Sequence, residues 1–420
     1  MSGYKDSLSE VSRGVGINGL RKMYRQSFFT PRFCASHKRM DKSHHSYWES
    51  KQFFKGYDVI IIGAGIVGLS AALNLKRKTP TLKVGILEGG HLPTGASTKN
   101  AGFACFGSIS ELIEFEAESS AEAIVEYVKL RWDGLQVLRQ NVGDAALEFQ
   151  QLGGNEIFRS TESESAALCC DKVSYYNNLL KDVLGVPANY RVASEKITQF
   201  GFNDITCLIE NRLEGQIDTG KMMATLLAKV CGLGVAVYTS TKVDAIERSS
   251  IGFQLATMHG IYETKKIIVA TNAFVRTLFP SLDVVPGRGQ VIVTKPIKDL
   301  KIKGTFHYQR GYYYFRNIDD RVLFGGGRNL DFKGEETCAF GLTPQIQKSL
   351  EDLLTTMILP GVHVEIDQRW SGIMAFGSKI EPIITEVEPG IFCAVRCNSM
   401  GIALGSVSGA NVAALVQESL

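Results

Sequence analysis

Hydrophobic positions are nearly continuous from Tyr57 to Ile62, which predicts a strand buried on both faces. Six residues containing three glycines follow. Leu69, Ala72, Leu73 and Leu75 then fall on one side of a helix predicted over Leu69–Lys78, whose continuation Pro80 blocks. A second strand is predicted over Lys83–Glu88, closing a βαβ unit of about 30 residues. Helical periodicity returns at Ala121–Gln140, around Ser165–Leu184, and at Lys221–Cys231, where Gly232 and Gly234 end it. Between Val235 and Ala270 the pattern predicts short strands, with turns at Ser249-Ser250 and His259-Gly260. A β-rich stretch runs from Arg288 to Gly327. A helix is predicted over Pro344–Met357, strands over Val362–Trp370 and Ile391–Val395, and a last helix from about Gly401 to Val416. No internal repeat is present.

Composition narrows the class. A chain of 420 residues holds two domains, or one with a large insertion. The net charge of +3 does not point to nucleic acid. Nine cysteines form no CxxC pair and no metal-ligand spacing, so free thiols in a reducing compartment, and no metal, are expected. Cys169-Cys170 sit in a helical stretch and read as buried structural residues. No apolar run approaches the roughly 20 residues that span a bilayer. Residues Met1 to about Ser50 are rich in Ser, Lys and Arg and poor in acids, without the apolar centre of a secretory signal. A transit peptide, a disordered tail, and an upstream extension with Met40 as the natural start all fit. The expected compartment is the cytoplasm, or the mitochondrion if the segment is a transit peptide.

The chemistry begins at Gly63-Ala64-Gly65-Ile66-Val67-Gly68, placed between strand and helix. Gly63 permits a tight turn, Gly65 lets a pyrophosphate approach the backbone, and Gly68 lets the helix pack on the strand. The helix N-terminus offers free N–H groups to phosphates. Glu88 ends the second strand about 20 residues on, where an acid binds a ribose hydroxyl and disfavours a 2′-phosphate. Strand, loop, helix, strand and acid together predict a dinucleotide site.

Three later stretches favour FAD over NAD. Gly95-Ala96-Ser97-Thr98-Lys99-Asn100-Ala101-Gly102 is small enough to pass close to a flat ligand, with Ser97 and Asn100 as donors. Lys266–Ala270 is an apolar strand ending in Ala270-Thr271-Asn272-Ala273. Cys397-Asn398-Ser399-Met400-Gly401-Ile402 precedes a Gly- and Ala-rich helix, whose N-terminus would stabilise negative charge on a reduced flavin.

From about Tyr57 to the C-terminus the chain resembles the D-amino-acid oxidase-like family of FAD-dependent oxidoreductases, nearest in motif to its gamma-glutamylputrescine oxidase and glycine oxidase types. The resemblance rests on an ordered series: DVIIIGAGIVGLSAALNL, GASTKNAGF, EGQID, IIVATNA, PGRGQVIVT, YYYFR with VLFGGGR, WSGIMAFGSKIEPII, and NSMGIALGSVSGANVAALV. It implies an α/β (α+β overall) chain: a Rossmann-like FAD-binding βαβ domain with an inserted β-rich substrate domain, of D-amino-acid oxidase/glutathione-reductase type. The ranges are 53–155, 206–285 and 368–420 for the FAD part, 156–205 and 286–367 for the substrate part, and 1–52 for the disordered or targeting-like segment. The expected FAD contacts are Gly63 to Gly68, Glu88, Ser97, Thr98, Asn100, Ala101, Gly102, Val243, Thr271, Asn272, Gly372, Met400, Gly401 and Ile402, with Val243 meeting the adenine through its backbone.

The resemblance implies hydride transfer from the carbon next to an amine to the flavin. The imine is then hydrolysed, and oxygen reoxidises the flavin to give hydrogen peroxide. A small-molecule amine or amino acid and an electron acceptor are the implied partners, with no residue required as catalytic base. The chain departs from the family at Gly372-Ile373-Met374-Ala375: Met374 stands where oxidases of amino acids carry an arginine for the substrate carboxylate. No cysteine lies between Trp370 and Glu381, which excludes covalent flavin attachment there, so the FAD is expected to be non-covalent. Candidates for the substrate side are Tyr314 and Arg316, on one face of a strand with Tyr312, together with Trp370 and Met374. Ordinary sheet tyrosines, and an Arg316 paired with Asp319 or Asp320, are the alternative. Arg328 after three glycines is open in the same way, and the lone His307 reads as structural. Two other functions remain: dehydrogenation of a 2-hydroxy acid or amine with a quinone or protein acceptor, and a non-enzymatic flavin-bound assembly role.

Overall fold

Val59, Ile60 and Ile61 have no exposed surface, because their strand, Tyr57–Ile62, lies inside a parallel sheet covered on both faces. The computed structural model describes residues 45–420. Tyr57–Ile62 pairs in parallel with Val84–Leu87 on one side and Gly260–Val269 on the other. Ile391–Val395 and Ile383–Glu388 extend the sheet beyond Gly260–Val269, and Ala236–Tyr238 extends it beyond Val84–Leu87. The antiparallel strands Val243–Ser249 and Gly252–Thr257 branch from Gly260–Val269 through the two predicted turns. The front, middle and end of the chain therefore meet in one sheet.

Helices Ile66–Lys78, Ala121–Val142, Thr219–Gly232 and Gly401–Glu418 form a layer beside this sheet. The last helix crosses the first at very short range. A Cβ on Gly409 would stand 2.6 Å from Cβ of Ser70, so only glycine fits there.

A second eight-stranded sheet runs in the order Ile366–Phe376, Val285–Thr294, Arg321–Gly326, Tyr313–Ile318, Thr305–Tyr308, Gly154–Arg159, Ile205–Asn211, Tyr190–Val192. Neighbours are antiparallel except Thr305–Tyr308 with Gly154–Arg159. One face packs Phe306, Phe315 and Phe324 on the helix Pro344–Leu353. The other face is turned to the segment around Ala101 and Phe103. Strand periodicity puts Tyr314, Val291, Leu323 and Trp370 on this second face.

Several expectations shift. Ile205–Asn211, assigned to the cofactor part, belongs to the second sheet, because it pairs with Gly154–Arg159 and Tyr190–Val192. The strand expected to end at Trp370 instead runs Ile366–Phe376 through the Gly372–Met374 stretch, held by ten pairings to Val285–Thr294. The helix from Pro344 ends at Leu353 and widens into a five-residue-step turn over Leu354–Ile358. Within the segment read as disordered or targeting-like, Tyr47–Phe53 is a helix with a reciprocal cap. The Glu49 amide donates to the Ser46 hydroxyl, and the Ser46 amide donates to the Glu49 carboxylate. Phe54 then packs on Tyr262 of the first sheet. The three readings of the remaining N-terminal residues lie outside the described residues. Among the described residues no helix is long and apolar enough to cross a membrane, no group of metal-ligand residues forms, and the cysteines are free. Cys169 is buried, as its helical setting implied, whereas Cys170, expected to be buried with it, is only half-buried, its Sγ 3.5 Å from Cys207 Sγ without a bond.

Candidate functional site

The glycine loop turns directly from Ile62 into the helix Ile66–Lys78, with Gly63 at φ +105°. A Cβ at Gly63 would stand 2.8 Å from the Ala270 carbonyl oxygen, and one at Gly65 would stand 3.1 Å from Ser97 Oγ. The Glu88 carboxylate accepts from the amides of Ala64 and Gly90, both at 2.8 Å, which anchors it beside the loop. Ser97 Oγ accepts from the Ile66 amide at 3.0 Å. Among the described residues, the amides of Gly65, Val67 and Gly68 have no protein acceptor. Three converging N–H groups at a helix N-terminus suit a phosphate. The hydroxyl of Thr271, next to the Ala270 carbonyl that faces Gly63, is buried without a partner. An orphaned donor beside a side-chain-free loop is what a bound nucleotide would complete.

Val243, Asn272 and the start of the last helix lie on the elements around this loop, while Gly372 sits in the second sheet. The Thr241 amide donates to the Glu88 carbonyl at 2.7 Å, bringing buried Val243 two residues on to the end of the second strand. Asn272, at φ +47°, accepts from the Arg396 amide at 3.0 Å and ties the end of Gly260–Val269 to the turn before the last helix. In that turn Arg396, Asn398 and Ser399 all take positive φ, and Met400 caps the helix that Gly401 and Ile402 begin. Three non-glycine residues in the left-handed region within four positions mark stored strain, which concentrates at functional sites. Nothing lies within 4 Å of a Cβ at Gly401, so the start of this helix is open.

Two donors are spent elsewhere. Gly95–Gly102 contains a short helix, Ala96–Lys99, and Asn100 Nδ2 donates back to the carbonyls of Ala96 and Ser97 while its oxygen accepts from the Gly102 amide. Thr98 Oγ1 donates to the Pro93 carbonyl at 2.7 Å. Turn geometry captures both side chains, so this stretch presents backbone, with Ala101 and Gly102, rather than amide and hydroxyl groups.

Glycine at Gly287, Gly289, Gly325 and Gly372 removes side chains from the face of the second sheet that carries Tyr314, Trp370 and Met374, leaving a floor. Lys99 crosses one end, its Cβ 3.1 Å from a Cβ placed on Gly372. Trp370 Nε1 donates to the Lys99 carbonyl at 3.0 Å, pinning the Lys99–Gly102 segment onto the floor. The Tyr314 ring covers Gly325, and Met374 Cε covers Gly289. Tyr314 also meets Phe103 edge-on at 5.7 Å, and its enclosure raises the phenol to about 12, so it stays protonated at neutral pH. Tyr312 falls outside the strand Tyr313–Ile318 and is 40% exposed, so it does not share the Tyr314 face.

Arg316 pairs with neither Asp319 nor Asp320. It is 6% exposed, its Nε has no partner, and Nη1 reaches the Gly102 carbonyl at 3.5 Å. Burial lowers the guanidinium to about 10, which leaves it charged at neutral pH. Behind Phe103 a small cavity of about 10 Å³ is lined by Glu156, Glu214 and His307, among others. Burial raises Glu156 to about 7 and Glu214 to about 8, and lowers His307 to about 4. His307 is therefore a neutral interior residue, as its isolation implied. The carboxylates were not singled out from sequence, where nothing marks Glu156 or Glu214 as interior. The glycine floor was legible as pattern in PGRG and FGGG, but not as one surface.

A family model described as FAD dependent oxidoreductase (DAO) matches residues 58–415, and the chain belongs to this family. Among curated relatives, a probable oxidoreductase OrdL of Haemophilus influenzae is 24% identical over 85% of this chain and 82% of that protein. Gamma-glutamylputrescine oxidoreductase of Escherichia coli is 22% identical over 86% of this chain and 83% of that protein. The crystal structure of glycine oxidase from Bacillus cereus superimposes with a TM-score of 0.66 at 19% identity, covering 87% of this chain and 98% of that one. The fold is thus the mixed α/β architecture of the family, with a cofactor-binding sheet and a β-rich substrate sheet.

Proposed function

We propose that this chain binds FAD non-covalently at the glycine loop and oxidises a C–N bond of an amine or amino acid on the glycine floor. The two-part division into cofactor and substrate regions belongs to this reading. FAD, when bound, supplies the hydride acceptor, after which the imine hydrolyses in water and oxygen reoxidises the flavin with release of hydrogen peroxide. Gly65, Val67 and Gly68 would hold the pyrophosphate, Glu88 the ribose, and the helix from Gly401 the flavin end. Tyr314, Trp370 and Met374 would exclude water and orient the amine.

The observation that carries the reading is the floor itself: glycines open it, aromatic and thioether side chains wall it, and its four strands turn no carboxylate or histidine onto this face, the neighbouring His307 lying behind Phe103. Such a surface binds and desolvates but supplies no acid–base group, which suits chemistry carried by a cofactor. Anaerobic mixing of the holoprotein with amines, N-methyl amino acids and D- or L-amino acids tests this. At least one class should bleach the flavin band, and admission of oxygen should restore it with peroxide. Bleaching without oxygen turnover would assign a quinone or protein acceptor instead. No bleaching by any compound would favour the non-enzymatic assembly role.

A further inference from the structure

The 328–343 segment leaves the glycine floor between Gly326 and the helix Pro344–Leu353, and its first side chain turns back over the floor. Gly287 pairs with Met374, and a Cβ on Gly287 would stand 3.0 Å from Arg328 Nε. Because Gly287 and Gly289 share a face, the Arg328 guanidinium lies on the side of the sheet where Met374 Cε covers Gly289. It is stacked on Phe376 at 4.1 Å and on Phe332 at 5.0 Å. Among the described residues its side chain has no hydrogen-bond acceptor and no carboxylate partner, and its Nε is fully enclosed. Glu336 acts on Arg328 only through its charge, and two other nearby acids are engaged elsewhere. Glu335 serves Arg288, Gln290 and Thr343, and Asp331 accepts from the Gly334 amide. Lys99 passes the edge strand at Gly372, and its ammonium lies over the ring of Phe340, without a carboxylate partner among the described residues.

Arginine stacks on aromatic rings without losing the fork of donors that matches a carboxylate. A floor with two cations at its margin and no acid from its own strands attracts an anion. Beside Arg328 the lip is apolar: Tyr312, Leu330 and Phe332 are all exposed there. We infer that Arg328 is the specificity-determining anchor of this site, holding the carboxylate of an amine-bearing acid whose apolar body lies along the lip of the 328–343 segment. The anion is thereby gripped from the segment that follows the strand Arg321–Gly326, although Met374 leaves Ile366–Phe376 without a charge on the floor. The inference rests on the proposed oxidation of a C–N bond and narrows its substrate to carboxylate-bearing amines.

The test uses holoprotein and two inert probes of one shape, phenylacetate and phenylacetamide, read as perturbation of the flavin absorption band. Phenylacetate should perturb the band saturably and phenylacetamide should not. Arg328→Leu should weaken phenylacetate about 10- to 100-fold, the range expected for loss of a charge-assisted pair. Arg328→Lys should recover part of that loss, and FAD content should stay at the wild-type level. Equal affinity for the two probes, or unchanged phenylacetate affinity in Arg328→Leu, overturns the inference. Loss of FAD in Arg328→Leu also overturns it, because the guanidinium would then serve the cofactor. If carboxylate-free amines bleach the flavin as fast as amino acids in both proteins, the inference falls and C–N oxidation stands. If phenylacetate binds through Arg328 but no amine or amino acid bleaches the flavin, the anion anchor stands and C–N oxidation falls.

Discussion

Glu335 has no exposed surface, and its carboxylate takes two hydrogen bonds from Arg288, Nε to Oε2 and Nη2 to Oε1, both at 2.8 Å. The Arg288 amide also donates to the Glu335 carbonyl, at 2.7 Å. Side chain and backbone together clamp the 328–343 segment to the strand Val285–Thr294, on the sheet face opposite the floor. Removing one partner of a buried pair strands the other charge, at about 3–5 kcal/mol. Glu335→Ala should therefore lose roughly that much stability in denaturant unfolding, and a loss within experimental error would show that the clamp is dispensable.

Tyr314 covers Gly325 so closely that a Cβ there would stand 2.7 Å from its ring. Gly325→Ala should move the ring at a folding cost of about 1–3 kcal/mol. Displacing a wall of the floor should slow anaerobic flavin reduction roughly ten- to a hundredfold, with FAD content unchanged. Rapid-mixing absorbance measures the rate.

At the other end of the site, Gly65→Val would fill the space beside Ser97 Oγ, where the proposed pyrophosphate would approach the amides. The variant should fold yet purify without its yellow colour. The ratio of flavin to protein absorbance, alongside circular dichroism, decides between lost cofactor and lost fold.

The four strands that carry the floor, Val285–Thr294, Tyr313–Ile318, Arg321–Gly326 and Ile366–Phe376, contain no cysteine. Buried Cys397, in the turn before the last helix, is raised to about 12 and stays a thiol, unsuited to bonding a flavin. Acid precipitation of the holoprotein should leave FAD in the supernatant; flavin that stays with the pellet contradicts non-covalent binding.

Glu214 Oε1 accepts from the amides of Phe106 and Gly107, at 2.8 and 3.1 Å, yet burial outweighs these bonds and raises its pKa to about 8. With the folded pKa above the unfolded one, the native state holds the proton longer. Stability is then complete below the ordinary carboxyl range and falls as pH rises towards 8. Glu156, raised to about 7, adds in the same direction, whereas neutral His307, lowered to about 4, opposes it as pH falls below 6.5. Glu214→Gln keeps an acceptor for the two amides and removes one titration. Its stability should decline less than wild type between pH 5 and 8, by on the order of 1 kcal/mol. Urea unfolding at several pH values reads the difference.

The βαβ unit, the acid Glu88 and the FAD family were legible in the sequence because each rests on local rules. A continuous apolar run makes a doubly covered strand, glycines open a turn, and an acid sits at a fixed spacing from both. The last helix and the Ile391–Val395 strand followed from periodicity in the same way. Tertiary structure decided what the sequence left open. Whether Arg316 pairs with Asp319 or lies buried against Gly102 depends on how a distant segment meets the sheet, as does the placing of Arg328 beside Gly287 and Phe376. Asn100 was expected to donate, but the carbonyls of a helical turn four residues long took its amide. Local patterns encode the backbone that would meet a phosphate. The charge that would meet a substrate is set by contacts between strands far apart in the chain.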